Sequence, residues 1–136
     1  MKEPPHETDE LIEAFWKAFR ERNWKGARSC LSDDAIMSWP CTGERFLGAD
    51  SIIHVNSIYP EGWSIRLIEC NHLLDGRVHT VIRVDHPPHN FFATSLFSTS
   101  GLIQQITEYW STIEAPPHWR SSGNLPGYER ISFTSP

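Results

Sequence analysis

The chain has 136 residues, of which 39% are hydrophobic and 21% are charged. This length is sufficient for one core and too short for two, and the apolar content is above that of disordered chains. The formal charge of -5 is not accompanied by a block of basic residues, so a nucleic acid is not expected as a partner.

No apolar run reaches the roughly 18 residues that a membrane-spanning helix needs, and the N-terminus MKEPPHETDE is polar and acidic. We therefore expect a soluble, cytoplasmic protein that has no membrane partner. The cysteines Cys30, Cys41 and Cys70 lack the paired spacing of a zinc or redox site. They are predicted to be reduced thiols with a structural role.

The first half of the chain carries three helical patterns. Apolar residues at three- and four-residue spacing predict a first helix from about Asp9 to Arg22, with one apolar stripe: Leu11, Ile12, Phe15, Trp16 and Phe19. A short second helix is predicted over WKGARSCL, where SDD stops it before a strand, AIMSWP. After the turn residues from Pro40 to Gly48, a third helix is predicted within GADSIIHVNSIYP.

From Trp63 onward the pattern changes to alternation and to β-branched and aromatic residues. Turn residues separate four such segments: WSIRLIECNHLL, RVHTVIRVD, NFFATSLFSTS and LIQQITEYW. They predict a four-strand antiparallel meander, which coils and which the preceding helices can cover on one face only. The predicted class is α+β: a cone-shaped curved sheet, antiparallel or mixed, with three N-terminal helices packed on its concave face.

Residues 115–136 mix proline and glycine with large apolar side chains: Trp119, Leu125, Tyr128, Ile131 and Phe133. A free tail would hardly carry such side chains. We predict an irregular arm that either closes the mouth of its own pocket or crosses to a partner subunit. The whole chain, 1–136, is then one domain with its core at about residues 7–114.

The order of helix, helix, strand, helix and four strands resembles that of the nuclear transport factor 2-like superfamily. Three segments carry the resemblance: LSDDAIMSWP, GADSI and SGLIQQITEYW. Within the superfamily the chain is most similar to the SnoaL-like, or polyketide cyclase-like, branch. This resemblance implies a pocket for a small organic molecule inside the cone, and the fold alone does not specify a reaction.

Two enzymes of the superfamily give different residue-level matches. Alignment with ketosteroid isomerase places Trp39 at its general-base aspartate and Phe15 at its oxyanion-binding tyrosine, so its dienol chemistry is not expected here. The segments IRVD and ITEYW resemble the catalytic strands of limonene epoxide hydrolase. That resemblance implies a catalytic set of Arg83, Asp85 and Glu108, in which the arginine holds one carboxylate ionised as a base. Ile36 and Ser38 replace the hydrolase's water-binding tyrosine and asparagine.

The two faces of the segment RVHTVIRVD offer two interpretations of these charges. One face carries Val78, Ile82 and Val84, and the other carries His79, Val81, Arg83 and Asp85. If the apolar face points at the helices, the charged face is solvated and holds a surface ion pair. If the apolar face forms a dimer contact, the charged face lines the cone. Glu108 shares its face with Ile106 and Trp110, and such apolar walls would raise its pKa.

Aromatic residues are more numerous than a core of this size needs, and small-molecule pockets are lined mainly by apolar and aromatic side chains. The predicted ligand-binding residues are Trp16, Trp39, Tyr59, His79, His86, Phe91 and Trp110. The expected ligand is a small apolar or aromatic molecule.

The segment DHPPH, together with His79, raises a metal site as an alternative. Its two prolines hold Asp85, His86 and His89 apart, and no fourth ligand lies at metal-site spacing, so neither a metal nor another cofactor is expected.

The sequence thus predicts a small-molecule-binding protein, dimeric through the outer sheet face. As an enzyme it would perform cofactor-free acid/base chemistry, such as cyclisation, isomerisation, dehydration or hydrolysis, with Glu108 or Asp85 moving the proton. The alternative is a non-catalytic ligand carrier or protein-interaction module of the same fold.

Overall fold

The computed structural model describes residues 7–131, apart from the side chain of Glu7. Its elements in chain order are α1 (Glu7–Arg20), α2 (Trp24–Ser29), β1 (Leu31–Trp39), β2 (Glu44–Leu47), α3 (Ala49–Ser57), β3 (Ser64–His72), β4 (Val78–Asp85), β5 (Phe91–Ser100), β6 (Leu102–Thr112) and α4 (His118–Ser121). The six strands form one curved, unclosed sheet in the order β2-β1-β6-β5-β4-β3, in which only the β1–β6 pair is parallel. The predicted α+β class is confirmed.

The first strand differs from the prediction at both ends. The residues SDD, predicted to stop α2, lie inside β1, which begins at Leu31. An irregular register against β6 between Leu31 and Ile36 accommodates the exposed carboxylates of Asp33 and Asp34. The region predicted as turn contains β2, whose four residues are too few to show a periodic pattern.

The core lies between α1 and the concave face of the sheet. The α1 side chains of Ile12, Phe15, Trp16 and Phe19 are all buried, as the apolar stripe predicts. Phe97 of β5 meets Phe15 and Trp16 with ring centroids 5.9 Å apart in both cases. Burying one large apolar side chain of this kind contributes about 1.5–3 kcal/mol, so these contacts hold α1 on the sheet.

After β6 the chain forms an irregular arm that contains α4. Its large side chains are exposed, with Trp119 at 68% and Ile131 at 69% of their full accessible surface. No described residue beyond Thr112 lines the cavity discussed below, so the alternative in which the arm closes its own pocket is wrong for residues 113–131. The crossing to a partner subunit stays a prediction, and Phe133 lies outside the described residues. No helix within residues 7–131 is long and apolar enough to span a membrane.

Candidate functional site

A cavity of about 400 Å³ lies between α1, α3 and the concave face of the sheet. Its volume falls within the range of small-molecule sites. Seven aromatic side chains line it: Trp16, Phe19, Trp39, Tyr59, Trp63, Phe91 and Trp110. The polar side chains in the lining are Glu44, Asn56, His89, Asn90, Glu108 and Thr112.

Two pairs of aromatic rings form right-angled corners of this cavity. Trp39 of β1 and Trp110 of β6 lie with centroids 5.6 Å apart and planes at 86°. Trp16 and Phe19, one α-helical turn apart on α1, lie 5.4 Å apart at 77°. The indole N–H of Trp16 donates a hydrogen bond of 3.1 Å to the Thr80 hydroxyl oxygen, which fixes this ring against the sheet. The walls are therefore held in place before any ligand arrives.

The loop between α3 and β3 brings Trp63 to the cavity, and Arg22 holds that loop. The Arg22 backbone adopts a left-handed conformation (φ 57) after α1, and its guanidinium lies 3.3 Å from the centroid of the Trp63 ring. The same guanidinium donates to the Trp63 carbonyl (2.5 Å) and to both carboxylate oxygens of Glu61 (2.9 Å each). These contacts tie one wall of the cavity to the end of α1.

The indole nitrogens of Trp39 and Trp63 are buried, and no hydrogen-bond partner for either is found among residues 7–131. Neither nitrogen atom has surface that opens toward the cavity or the solvent. A ligand in the cavity would therefore meet the ring carbons of these residues and not their N–H groups.

Glu108 carries a carboxyl group on the concave face of the sheet, among the aromatic walls of the cavity. It lies two residues before Trp110 on β6, and the Ser95 hydroxyl of neighbouring β5 donates a 3.1 Å hydrogen bond to its Oε2. Burial raises its pKa to about 7, and the Ser95 hydrogen bond opposes that shift only in part. Glu108 is thus poised to exchange a proton near neutral pH.

Comparison with solved structures identifies the fold. A candidate ketosteroid isomerase from Kribbella flavida is 21% identical, with a TM-score of 0.78 over 92% of this chain and 90% of that chain. An NTF-2 like protein of unknown function from Burkholderia xenovorans is 21% identical, with a TM-score of 0.75 over 91% of this chain and 94% of that chain. The chain has the nuclear transport factor 2-like fold. The predicted resemblance to that superfamily is confirmed at this level.

An LEH-like epoxide hydrolase from M. tuberculosis has the nuclear transport factor 2-like fold at a greater distance. It is 16% identical, with a TM-score of 0.60 over 75% of this chain and 80% of that chain. No protein-family model matches the sequence, and a search of curated proteins found no match. These structural matches establish the fold. The chemistry has to be inferred from the residues of the cavity, because one fold hosts many functions.

Within this nuclear transport factor 2-like fold, the catalytic set predicted from the hydrolase is not brought together. Val78, Ile82 and Val84 of β4 are buried on the concave face, so Arg83 and Asp85 lie on the convex face. There the Arg83 Nε donates a 3.0 Å hydrogen bond to Asp85 Oδ1. Arg83 and Asp85 form an ion pair on the outer face, so their predicted catalytic role in the cavity is wrong. The alternation of side chains along β4 decides their position, and the resemblance to the hydrolase does not.

The predicted ligand-binding residues divide in the same way. Trp16, Trp39, Tyr59, Phe91 and Trp110 line the cavity together with Glu108, and their role in binding stays a prediction. His79 shares the convex face with Arg83, so its predicted position in the ligand-binding cavity is wrong as well.

His86 lies behind the wall of the cavity. Its Nε2 donates to the carbonyl oxygen of Glu61 (3.2 Å), and its ring contacts Tyr59 at 5.6 Å between centroids. It is placed to support Tyr59 and the loop that carries Glu61, and it is not part of the lining.

Several lining residues were not predicted from the sequence. Phe19 lies one turn from Trp16 on the predicted apolar stripe, so the periodicity gave a usable signal for it. Trp63, Asn56 and His89 come from a loop, a helix end and a turn, and nothing in the local pattern marks them as lining residues.

Cys30 and Cys70 lie in surroundings that disfavour the thiolate, and the metal-ligand side chains of residues 7–131 do not cluster. No group of three or more His, Cys, Asp or Glu side chains there is arranged to hold a metal ion. Burial raises the pKa of the Cys30 thiol, and burial together with the nearby carboxylates of Asp9 and Glu13 raises that of Cys70 to about 11. Both thiols are therefore poor nucleophiles at neutral pH.

Proposed function

We propose that the protein binds a small, mostly apolar molecule in its aromatic cavity and catalyses cofactor-independent acid/base chemistry on it, with Glu108 moving the proton. One observation carries this proposal: the Glu108 carboxyl group, whose pKa burial raises to about 7, lies among apolar ring walls. A general acid or base works best when its pKa lies near the working pH.

The surroundings of the carboxyl groups around the cavity favour one type of reaction. Glu108 lies on the floor of the sheet, the other lining carboxyl group, Glu44, is exposed, and Asp85 is on the opposite face of the sheet. One group that first removes a proton and then returns it is sufficient for an isomerisation. Hydrolysis of an epoxide in the manner of the hydrolase uses a base and a separate acid with an arginine between them, and neither Arg83 nor Asp85 faces the cavity. Isomerisation by proton transfer is thus the reaction class that the site supports best.

The cavity also bears on the alternative functions. In an interaction module of this fold, core side chains would fill the interior, and an open volume of about 400 Å³ argues against that. A non-catalytic carrier would use the same cavity and would release its ligand chemically unchanged.

A ligand screen tests the proposal. The purified protein is mixed with a panel of small cyclic ketones, alkenes and amines, and thermal unfolding is measured. We expect some members to raise the midpoint of unfolding, because a ligand at 100 times its Kd adds about 2.7 kcal/mol to stability. Mass spectrometry of the recovered compounds then separates an enzyme from a carrier.

Two valines of β4 provide the matched control for this screen. Val84 lines the cavity, whereas Val81 lies on the convex face. We expect Val84→Phe to reduce the ligand-induced shifts by filling the cavity, and Val81→Phe to leave them unchanged. The cavity is not the binding site if no compound shifts the wild type, or if the shifts survive Val84→Phe.

We also propose that a second copy of the chain packs on the convex face. Half-exposed Val81 and Leu96 lie there near Tyr109, which keeps 45% of its surface exposed. Light scattering should give twice the chain mass of 15.6 kDa, and Tyr109→Asp should return the mass to that of one chain. Leu74→Asp, in the exposed β3–β4 turn, is the control that should leave the dimer intact. A wild-type mass of one chain would refute this assembly.

A further inference from the structure

The charges around the cavity have one sign. Glu44 and Glu108 line it, and none of the lining residues is a lysine or an arginine. The other titratable side chains in the lining are His89 and Tyr59, both of them in contact with solvent. An anionic ligand would find no counter-charge in this lining, whereas a cation would be attracted to it.

The carboxyl group of Glu108 has hydrogen-bonding capacity that residues 7–131 leave unused. A carboxylate can accept about four hydrogen bonds, and Ser95 supplies one, to Oε2, within the described part of the chain. A buried carboxylate is costly when it is ionised without a partner. A positive group beside Glu108 would remove that cost.

The aromatic corner next to Glu108 fits the same kind of ligand. Ser38 pairs with Thr107 in the parallel strands, so the residues that follow them, Trp39 and Glu108, are neighbours on the concave face. The Trp39 and Trp110 rings meet there at 86°. The two perpendicular rings and the Glu108 carboxylate at their base thus form an open aromatic corner. The face of an indole ring attracts alkylammonium groups more strongly than the faces of the other aromatic side chains do.

We propose that the ligand is a hydrophobic organic cation, an amine or a quaternary ammonium, whose nitrogen lies in the corner formed by Trp39 and Trp110 and pairs with Glu108. This rests on the function proposed above, since it names the charge of the molecule that the cavity takes. Amines are therefore the members of the panel expected to give the largest shifts.

The test compares phenyltrimethylammonium with tert-butylbenzene, which has the same shape with carbon in place of the charged nitrogen. Binding to the full chain is measured by quenching of tryptophan fluorescence at about pH 8, where Glu108 is ionised. We expect the cation to bind at least about tenfold more tightly than its neutral isostere. In Glu108→Gln this advantage should fall to about threefold or less, while tert-butylbenzene should bind as before.

A second variant and a change of pH make the result specific. Asp85→Asn removes a carboxylate from the convex face and should keep the full preference for the cation. Lowering the pH to about 5 should weaken binding of the cation to the wild type as Glu108 is protonated. If Glu108→Gln loses the cation at low pH as steeply as the wild type, a group other than Glu108 is responsible and the pairing with Glu108 is overturned.

The outcomes separate this inference from the proposed function. Equal binding of the two probes, or tighter binding of tert-butylbenzene, overturns the cationic ligand and leaves the apolar cavity as a binding site. Failure of both probes, together with a panel that gives no shift, overturns the cavity itself.

Discussion

Glu108→Gln is expected to lower kcat about 10²- to 10⁴-fold for any compound that the protein is found to convert. Glutamine has the shape of glutamate, and its amide oxygen can still accept the hydrogen bond from Ser95. It neither takes up nor releases a proton near neutral pH, so the variant removes the proposed chemistry and keeps the cavity. The measurement is the steady-state rate of the wild type and the variant, with circular dichroism to verify the fold.

Asp85→Asn is the control for this experiment. Asp85 pairs with Arg83 on the convex face, 3.0 Å between Nε and Oδ1, and has no contact with the cavity. Because Asp85 is not in the cavity lining, kcat of the variant should stay within about twofold of the wild type. The loss of a surface ion pair of this kind lowers stability by at most about 1 kcal/mol, so the variant should remain folded. Unaltered turnover in Glu108→Gln would remove Glu108 from the mechanism. A large loss in Asp85→Asn would move the chemistry to the outer face.

The sequence was most informative where side chains repeat with a clear period. The spacing of Ile12, Phe15, Trp16 and Phe19 predicts both a helix and its buried face, and the structure buries all four. The four strands of the second half follow from their β-branched and aromatic residues and their turns. The start of β1 could not be predicted, because two successive exposed aspartates fit a strand only where its register against β6 is irregular.

The site was predictable where strand parity applies. Glu108 and Trp110 are two residues apart on β6 and share a face, which places both in the cavity. The same rule puts Val84 inside and Arg83 outside, and the resemblance to a hydrolase had suggested the reverse for Arg83. Trp63 could not be predicted, because its position depends on the Arg22 guanidinium, which comes from a distant turn and has no local sequence signal.

The stability of the protein should fall as the pH rises through the range in which Glu108 ionises. The pKa of this group is 4.5 in an unfolded chain and about 7 in the folded protein. Between these values the folded state holds a proton that the unfolded state has released, so the free energy of unfolding decreases with increasing pH. Each unit of pKa difference corresponds to about 1.4 kcal/mol, and with some access of water through the cavity we expect a loss of about 2 to 3 kcal/mol.

Glu108→Gln isolates this contribution from those of the other ionisable groups. The Arg22 guanidinium lowers the pKa of Glu61, and Arg77 lowers that of Asp75, so these groups act on stability below the range in which Glu108 titrates. Urea unfolding at about pH 5 and about pH 8 should show the wild type losing stability relative to the variant by about 2 to 3 kcal/mol. A difference between the two proteins that is the same at both pH values would mean that Glu108 is already ionised and solvated in the folded state. In that case its carboxyl group would not hold a proton at neutral pH, and the acid/base role would lose its physical basis.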